Sequence, residues 1–219
     1  MESNNPFVRF IIPSIGRSNL SRALQCIQNQ TLSNWTATVA FDGPQHNIPK
    51  GFENDKRITF IHAPPQKSAG FTRNYAMRHL QEPWVAFLDD DDKIRPDYIE
   101  KLQYEISIFP QVLTVIWRIN YHNDIVPDAE SKDFRIGRVG IAFAMNYQIF
   151  KYYGLAFKNE YAEDFKLLNE IRNRKLPMVI SPYVVYSIRD VDFNFKRHHY
   201  EEIDENRARI NEDVSLTYL

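Results

Sequence analysis

Four consecutive aspartates, Asp89–Asp92, follow directly on the apolar run Trp84–Leu88. Adjacent carboxylates about 6 Å apart repel by roughly 0.5–1 kcal/mol per pair in water, and more where water is excluded. Such a cluster at the end of a buried strand calls for a cation, and hard carboxylate oxygens suit Mg²⁺ or Mn²⁺ carrying a diphosphate. A solvated acidic turn is the competing reading. Asp42, before Gly43 at the end of another apolar run, could accept an N–H from uracil or guanine, or simply form a turn. Arg73 falls in the first turn of an expected helix whose amide groups also favour an anion. Lys67, in the loop before it, is a further cationic candidate.

Several other chemistries are excluded by spacing. The seven glycines form neither G-x-G-x-x-G nor G-x-x-x-x-G-K, and no G-x-S-x-G elbow is present. His198-His199 are adjacent and do not make the H-E-x-x-H of a zinc protease. Cys26 is the single cysteine, which rules out an internal disulfide and a cysteine-based zinc site.

These candidates need elements to hold them. Phe7–Ile12, Trp35–Phe41, Arg57–His62 and Trp84–Leu88 read as strands. Ser18 is positioned to cap a helix whose apolar face is Leu20, Ala23, Leu24 and Ile27. A second helix is expected over Phe71–Leu80, and a third from Pro96 with Ile99, Leu102 and Ile106 buried. The alternation predicts an α/β fold, a mainly parallel twisted sheet with helices on both faces. Later, Val112–Trp117 reads as a strand, Ile119–Ser131 as polar and turn-rich, and Phe134–Met145 as extended or irregular. A helix over Ala162–Asn173 and a strand within Val179–Ile188, with Pro182 near its start, complete the pattern.

With 219 residues, 43% hydrophobic and 25% charged, the chain suits one soluble domain with a substantial core. A net charge of −1 marks neither a nucleic-acid nor an anionic-membrane binder. Twelve Tyr and 15 Phe fit a thick core or a sugar-stacking surface equally well. No run reaches membrane-spanning length and residues 1–6 lack signal-peptide regions, so the Asn29 and Asn34 sequons are read as chance. The expected location is cytoplasmic, with peripheral membrane attachment open.

Six segments in order resemble the inverting nucleotide-sugar glycosyltransferases of family 2, which have the GT-A fold. Leu88–Tyr98 is similar to their D-x-D-D…P-D-Y segment. Phe10–Ser14 with Arg17 resembles the opening strand and nucleotide loop, Asn29-Gln30-Thr31 with Trp35 the first helix end and second strand start, and Phe41-Asp42-Gly43 the second strand's end. Gly70–Ala76 looks like G-x-x-x-R-N-x-x, and Glu163-Asp164 opens a helix as the E-D motif does. The resemblance covers roughly residues 7–190.

It implies one GT-A domain over 1–219: a nucleotide-sugar-binding half (7–95), an acceptor half (96–190) and a charged tail (191–219). The implied activity is a metal-dependent, inverting, hexosyltransferase-type transfer. The donor is a nucleoside-diphosphate sugar, with uracil favoured as base, and the acceptor is a glycan, lipid or protein hydroxyl. Asp91 is the expected direct ligand of Mn²⁺ or Mg²⁺. Asp89 and Asp92 are further metal-site candidates, Asp89 touching ribose or the metal through water and Asp92 acting behind the direct ligand. Asp90 is a donor-binding candidate without an assigned role that could be exposed. Pro13, Ser14, Arg17, Asp42, Lys67, Gly70, Arg73 and Asn74 are the donor-binding candidates, with Arg73 binding diphosphate or holding Asp89. Asp164 is the expected base, Glu163 the fallback, and Arg189 a minor candidate for neutralising diphosphate. Gly140–Asn146 lacks the basic residue the family often places before its acceptor-side helix. The rivals are a sugar-nucleotide pyrophosphorylase, whose long Gly-rich, Lys-containing loop is missing at Pro13–Asn19, and a non-catalytic nucleotide- or glycan-binding domain.

Overall fold

A computed structural model describes residues 6–44, 46–121, 124–127 and 134–189. The charged tail 191–219, with His198-His199, lies outside the described residues, as do Met1–Asn5 and Ser131.

The first half alternates strand and helix: β1 (Val8–Ser14), α1 (Leu20–Gln28), β2 (Trp35–Asp42), β3 (Ile58–Ala63), α2 (Ala69–Ala76) and β4 (Trp84–Phe87). These strands pair in parallel in the order β3-β2-β1-β4. Near-continuous apolar runs such as Phe-Ile-Ile in β1 are what a sheet buried on both faces requires. The expected face of α1 is buried, but Ser18 does not cap it. Asn19 occupies that position and no side chain caps the helix. In α2 Ser68 does cap: its Oγ accepts from Phe71 N at 3.2 Å, which starts the helix two residues earlier than expected. A 3-10 turn, Met77–His79, ends it.

The second half contains β5 (Lys93–Ile94), α3 (Tyr98–Ile108), β6 (Thr114–Tyr121), β7 (Asp124–Val126), β8 (Phe143–Asn146), α4 (Gln148–Tyr153), α5 (Glu163–Asn173) and β9 (Met178–Ser187). The sheet continues β4-β8-β6-β9-β5, with β7 beside β6. Here the pairing is mixed: β8 runs antiparallel to β4 and β6, β9 parallel to β6, and β5 antiparallel to β9. The parallel expectation therefore describes the first four strands, and the whole is a mixed α/β sheet. The stretch read as polar turn begins with the end of β6 and its hairpin to β7. Pro182 lies in a bulge, where Ile116 pairs with Ile180 but Arg118 with Val184; there its missing N–H costs no ladder bond.

Much of the aromatic content goes to the core. Phe10, Tyr98 and Trp117 pack ring to ring at 5.4 and 5.0 Å between centroids. The chain turns from β1 to β2 on one side, and from β3 back to β4 on the other. The carboxyl ends of β1 and β4 thus flank a topological switch point, where open α/β sheets bind ligands. Ser14 and the aspartates following Leu88 lie at this point.

Candidate functional site

A cleft of about 590 Å³ opens at the switch point. Pro13, Ser14, Arg17, Asp42, Lys67, Asp89 and Asp90 line it, as does His46, which sequence reasoning missed. Asp42 Oδ1 accepts from Gln66 N at 2.8 Å. His46 stacks on Phe41 at 5.5 Å, and its Nε2 lies 3.3 Å from the Asp42 carbonyl. Gly16 has a φ of +78°, and a methyl group there would collide with the His46 ring. That loop therefore requires glycine on two counts.

The four aspartates have four different environments and do not converge on one point. Asp89 Oδ1 accepts from Arg73 Nη2 at 2.6 Å, and its own N–H donates to the Tyr186 hydroxyl at 3.1 Å. Asp90 is not exposed: it is 2% accessible, accepting from Ser14 Oγ at 2.6 Å and Arg17 Nη1 at 2.7 Å. Asp91 keeps 26% of its side chain open, with Arg17 Nη1 3.3 Å away. Asp92 is buried and does not line the cleft, with Oδ2 accepting from the Tyr186 hydroxyl at 2.8 Å and Oδ1 from Arg189 N at 2.9 Å. These bonds use both of its oxygens to support the turn from behind. Burial, reinforced by the Asp89 charge, pushes its pKa up to about 7. Among the described residues no three His, Cys, Asp or Glu side chains form a ready cation cage.

Arg73 joins the two halves. It is 2% exposed, donating from Nη1 to Glu163 Oε1 at 2.7 Å and from Nη2 to Asp89. Burial opposes its charge, but the Asp89 and Glu163 carboxylates outweigh that and hold its pKa above the usual value. Of its two expected roles, the geometry gives the one of holding Asp89. Gly70 and Asn74 serve the same joint and do not line the cleft. A Cβ on Gly70 would come within 3.1 Å of Glu163 Cγ and of Phe157 Cβ, so glycine permits the close approach of α2 to the start of α5. Asn74 uses its whole amide on Phe157: Nδ2 donates to the carbonyl at 2.7 Å, and Oδ1 accepts from the N–H at 3.1 Å.

Ala162 takes a left-handed conformation, φ +53°, immediately before Glu163. A non-glycine residue held there stores of order 1 kcal/mol of strain, which tends to concentrate at functional sites. Asp164 follows, with Oδ1 accepting from Phe165 N at 2.7 Å. Burial raises its pKa, the Phe165 N–H opposes, and the neighbouring Glu163 charge raises it further. Asp164 lines a second cleft of about 470 Å³, bounded by Ile119, Gly140 and Tyr161 among others. Glu163 is spoken for by Arg73, and among the described residues Asp164 has no cationic partner at bonding distance. Tyr186 was invisible in the sequence, where it sits in an apolar strand run. His46 carried only its position, four residues after Asp42.

Solved structures share this arrangement of strands. TarS from S. aureus, in complex with UDP-GlcNAc, superposes with a TM-score of 0.70 at 14% identity, covering 85% of this chain and 59% of that one. The mannosyltransferase PcManGT from Pyrobaculum calidifontis, in complex with GDP-Man and Mn²⁺, gives 0.65 at 15% identity, covering 97% and 66%. In sequence, WcaA of Escherichia coli (strain K12), assigned by name to colanic acid biosynthesis, is 31% identical over 132 residues, 58% of this chain and 46% of its own length. TuaG of Bacillus subtilis (strain 168), assigned likewise to teichuronic acid biosynthesis, is 28% identical over 106 residues, 46% and 42%. The chain spans less than half the length of these two relatives. The profile of the family described as Glycosyl transferase family 2 matches residues 10–191, and the chain belongs to that family.

Proposed function

We propose that this glycosyltransferase moves one sugar from a nucleoside-diphosphate donor, UDP-linked, to a hydroxyl of a glycan acceptor with inversion at the anomeric carbon. The observation that carries the reading is the Arg73 link between Asp89 of the first cleft and Glu163, the neighbour of Asp164 in the second. On this reading Asp89 is the donor-side carboxylate and Asp164 the acceptor-side one, with the Arg73 link running between them.

The donor set suits a magnesium-like ion, which takes one or two protein carboxylates and fills its remaining positions with phosphate oxygens and water. Asp91, with Asp89, would hold it, both being partly open to solvent. An ion bound there supplies a Lewis acid for charge on the departing diphosphate. The structural neighbour in complex with GDP-Man and Mn²⁺ supports this, and the one in complex with UDP-GlcNAc supports a uridine donor. Asp42 would accept an N–H of the base, and Arg17 and Lys67 would face the phosphates. Asp164 would take the proton of the attacking hydroxyl, for which a raised pKa is favourable. One base opposite the leaving group gives in-line displacement. The relatives named for colanic acid and teichuronic acid biosynthesis favour a glycan over a protein acceptor.

A thermal-shift screen of nucleoside-diphosphate sugars with and without Mn²⁺ tests the donor half, since a ligand of the folded state raises Tm. A Mn²⁺-dependent rise with UDP-sugars, lost in Asp91→Ala, is expected. An equal rise in Asp91→Ala removes the metal assignment, and binding with no transfer to any acceptor would give a binding-only domain.

A further inference from the structure

Tyr121, Ile136 and Tyr161 are among the few large apolar side chains left open to solvent, and all three border the cleft that contains Asp164. Single exposed apolar residues need no explanation, whereas a group of them around a concave surface marks a binding site. Tyr161 is the extreme case at 84% exposure. The left-handed turn at Ala162 separates its ring from the body of α5 and holds it one turn of chain from Asp164.

Gly140 faces the carboxylate. A Cβ there would lie 3.4 Å from Asp164 Oδ2 and 3.8 Å from Ile119 Cδ1, so the absence of a side chain keeps the approach to Asp164 open. The cleft of about 470 Å³ is in the range of small-molecule sites. Its lining mixes apolar side chains such as Ile119, Val126 and Ile136 with Glu163, Asp164, Arg138 and two tyrosines. That mixture fits a ring with an apolar C–H face and a hydroxylated edge. A lipid tail would demand an unbroken apolar wall.

We propose that Tyr161, Tyr121 and Gly140 form the acceptor slot and select a pyranose ring, stacked on Tyr161 with one hydroxyl edge passing Gly140 to reach Asp164. The proposal rests on Asp164 being the acceptor-side base. It makes Tyr161 and Gly140 determinants of acceptor specificity.

Saturation-transfer NMR with the methyl glycosides of glucose, galactose, mannose and N-acetylglucosamine tests it without any donor. At least one glycoside should receive saturation from the wild type and from Tyr161→Phe. Tyr161→Ala and Gly140→Val, with Tm confirming that they fold, should weaken that glycoside at least tenfold. No transfer to any glycoside, or unchanged transfer in both variants, overturns the proposal. So does transfer confined to decyl phosphate, which would assign the slot to a lipid tail. Calorimetric titration of the wild type with UDP and Mn²⁺ separates the two readings: absent UDP binding beside intact, Tyr161-dependent glycoside binding would remove the donor assignment and leave the slot supported.

Discussion

Replacing Arg73 by methionine keeps an unbranched, apolar stem but removes the guanidinium that joins the two halves. Each of its two charge-assisted hydrogen bonds contributes about 1.5–3 kcal/mol, and breaking a buried ionic cluster by deleting one partner costs about 3–5 kcal/mol. Asp89 and Glu163 keep 32% and 23% of their side-chain surfaces, so water recovers part of their solvation and the lower end applies. Arg73→Met should therefore lose about 3 kcal/mol in urea unfolding at unchanged m-value. Much of that loss is the repulsion and desolvation of two stranded carboxylates. Glu163→Gln, which leaves the Asp89 bond intact, should cost about 1 kcal/mol. The double variant should then be more stable than the sum of the singles by about 1–2 kcal/mol. A loss below about 0.5 kcal/mol in Arg73→Met, or strictly additive double-variant data, would refute the picture of a buried cation shared between the halves.

Three further outcomes are expected. Tyr186→Phe deletes the hydroxyl that joins Asp89 N to Asp92, leaving two groups unpaired at about 1–3 kcal/mol, and should weaken UDP-sugar binding with an unchanged circular dichroism spectrum; equal donor affinity in the variant would count against it. Asp92, with a folded-state pKa of about 7, keeps a proton that the unfolded chain releases near pH 4. Its contribution to stability is complete below about pH 4 and lost as pH rises through about 7, so unfolding free energies should fall across that window in the wild type and be flatter in Asp92→Asn; parallel curves would contradict it. Asp164→Asn should lower transfer by about 10²–10⁴-fold while leaving the donor dissociation constant near its wild-type value. In the wild type the rate should drop on acidification at a pH above that of an ordinary aspartate, because burial raises this carboxyl; an acid limb at the usual carboxylate position, or an active Asp164→Asn, would move the base elsewhere.

The strands of the first half were readable because each is an apolar run buried on both faces, and the four aspartates were readable as a cluster. Their directions were not. A tight turn sends Asp90 to Ser14 and Arg17, and Asp92 to Tyr186, and these partners lie 76, 73 and 94 residues away in the chain. Strand β5 was hidden for the same reason: two residues inside a charged stretch become a strand only because β9 lies beside them. Asn74 and Gly70 show a subtler limit. Their motif marked the right place, but what they hold is the Phe157 backbone and the Glu163 stem, contacts set by tertiary approach. The short helix α4, six residues with one fully buried position, offered no periodic signal to find.

The clamp between β9 and the acidic turn means that this pocket is completed by a residue 94 positions further along the chain than Asp92. A nascent chain released from synthesis before β9 would contain all four aspartates of the turn yet have no Tyr186 to bond the Asp89 amide and the Asp92 carboxylate. Assembly of the acidic turn thus waits on β9, whose place beside β6 brings the Tyr186 hydroxyl to the Asp89 amide and the Asp92 carboxylate.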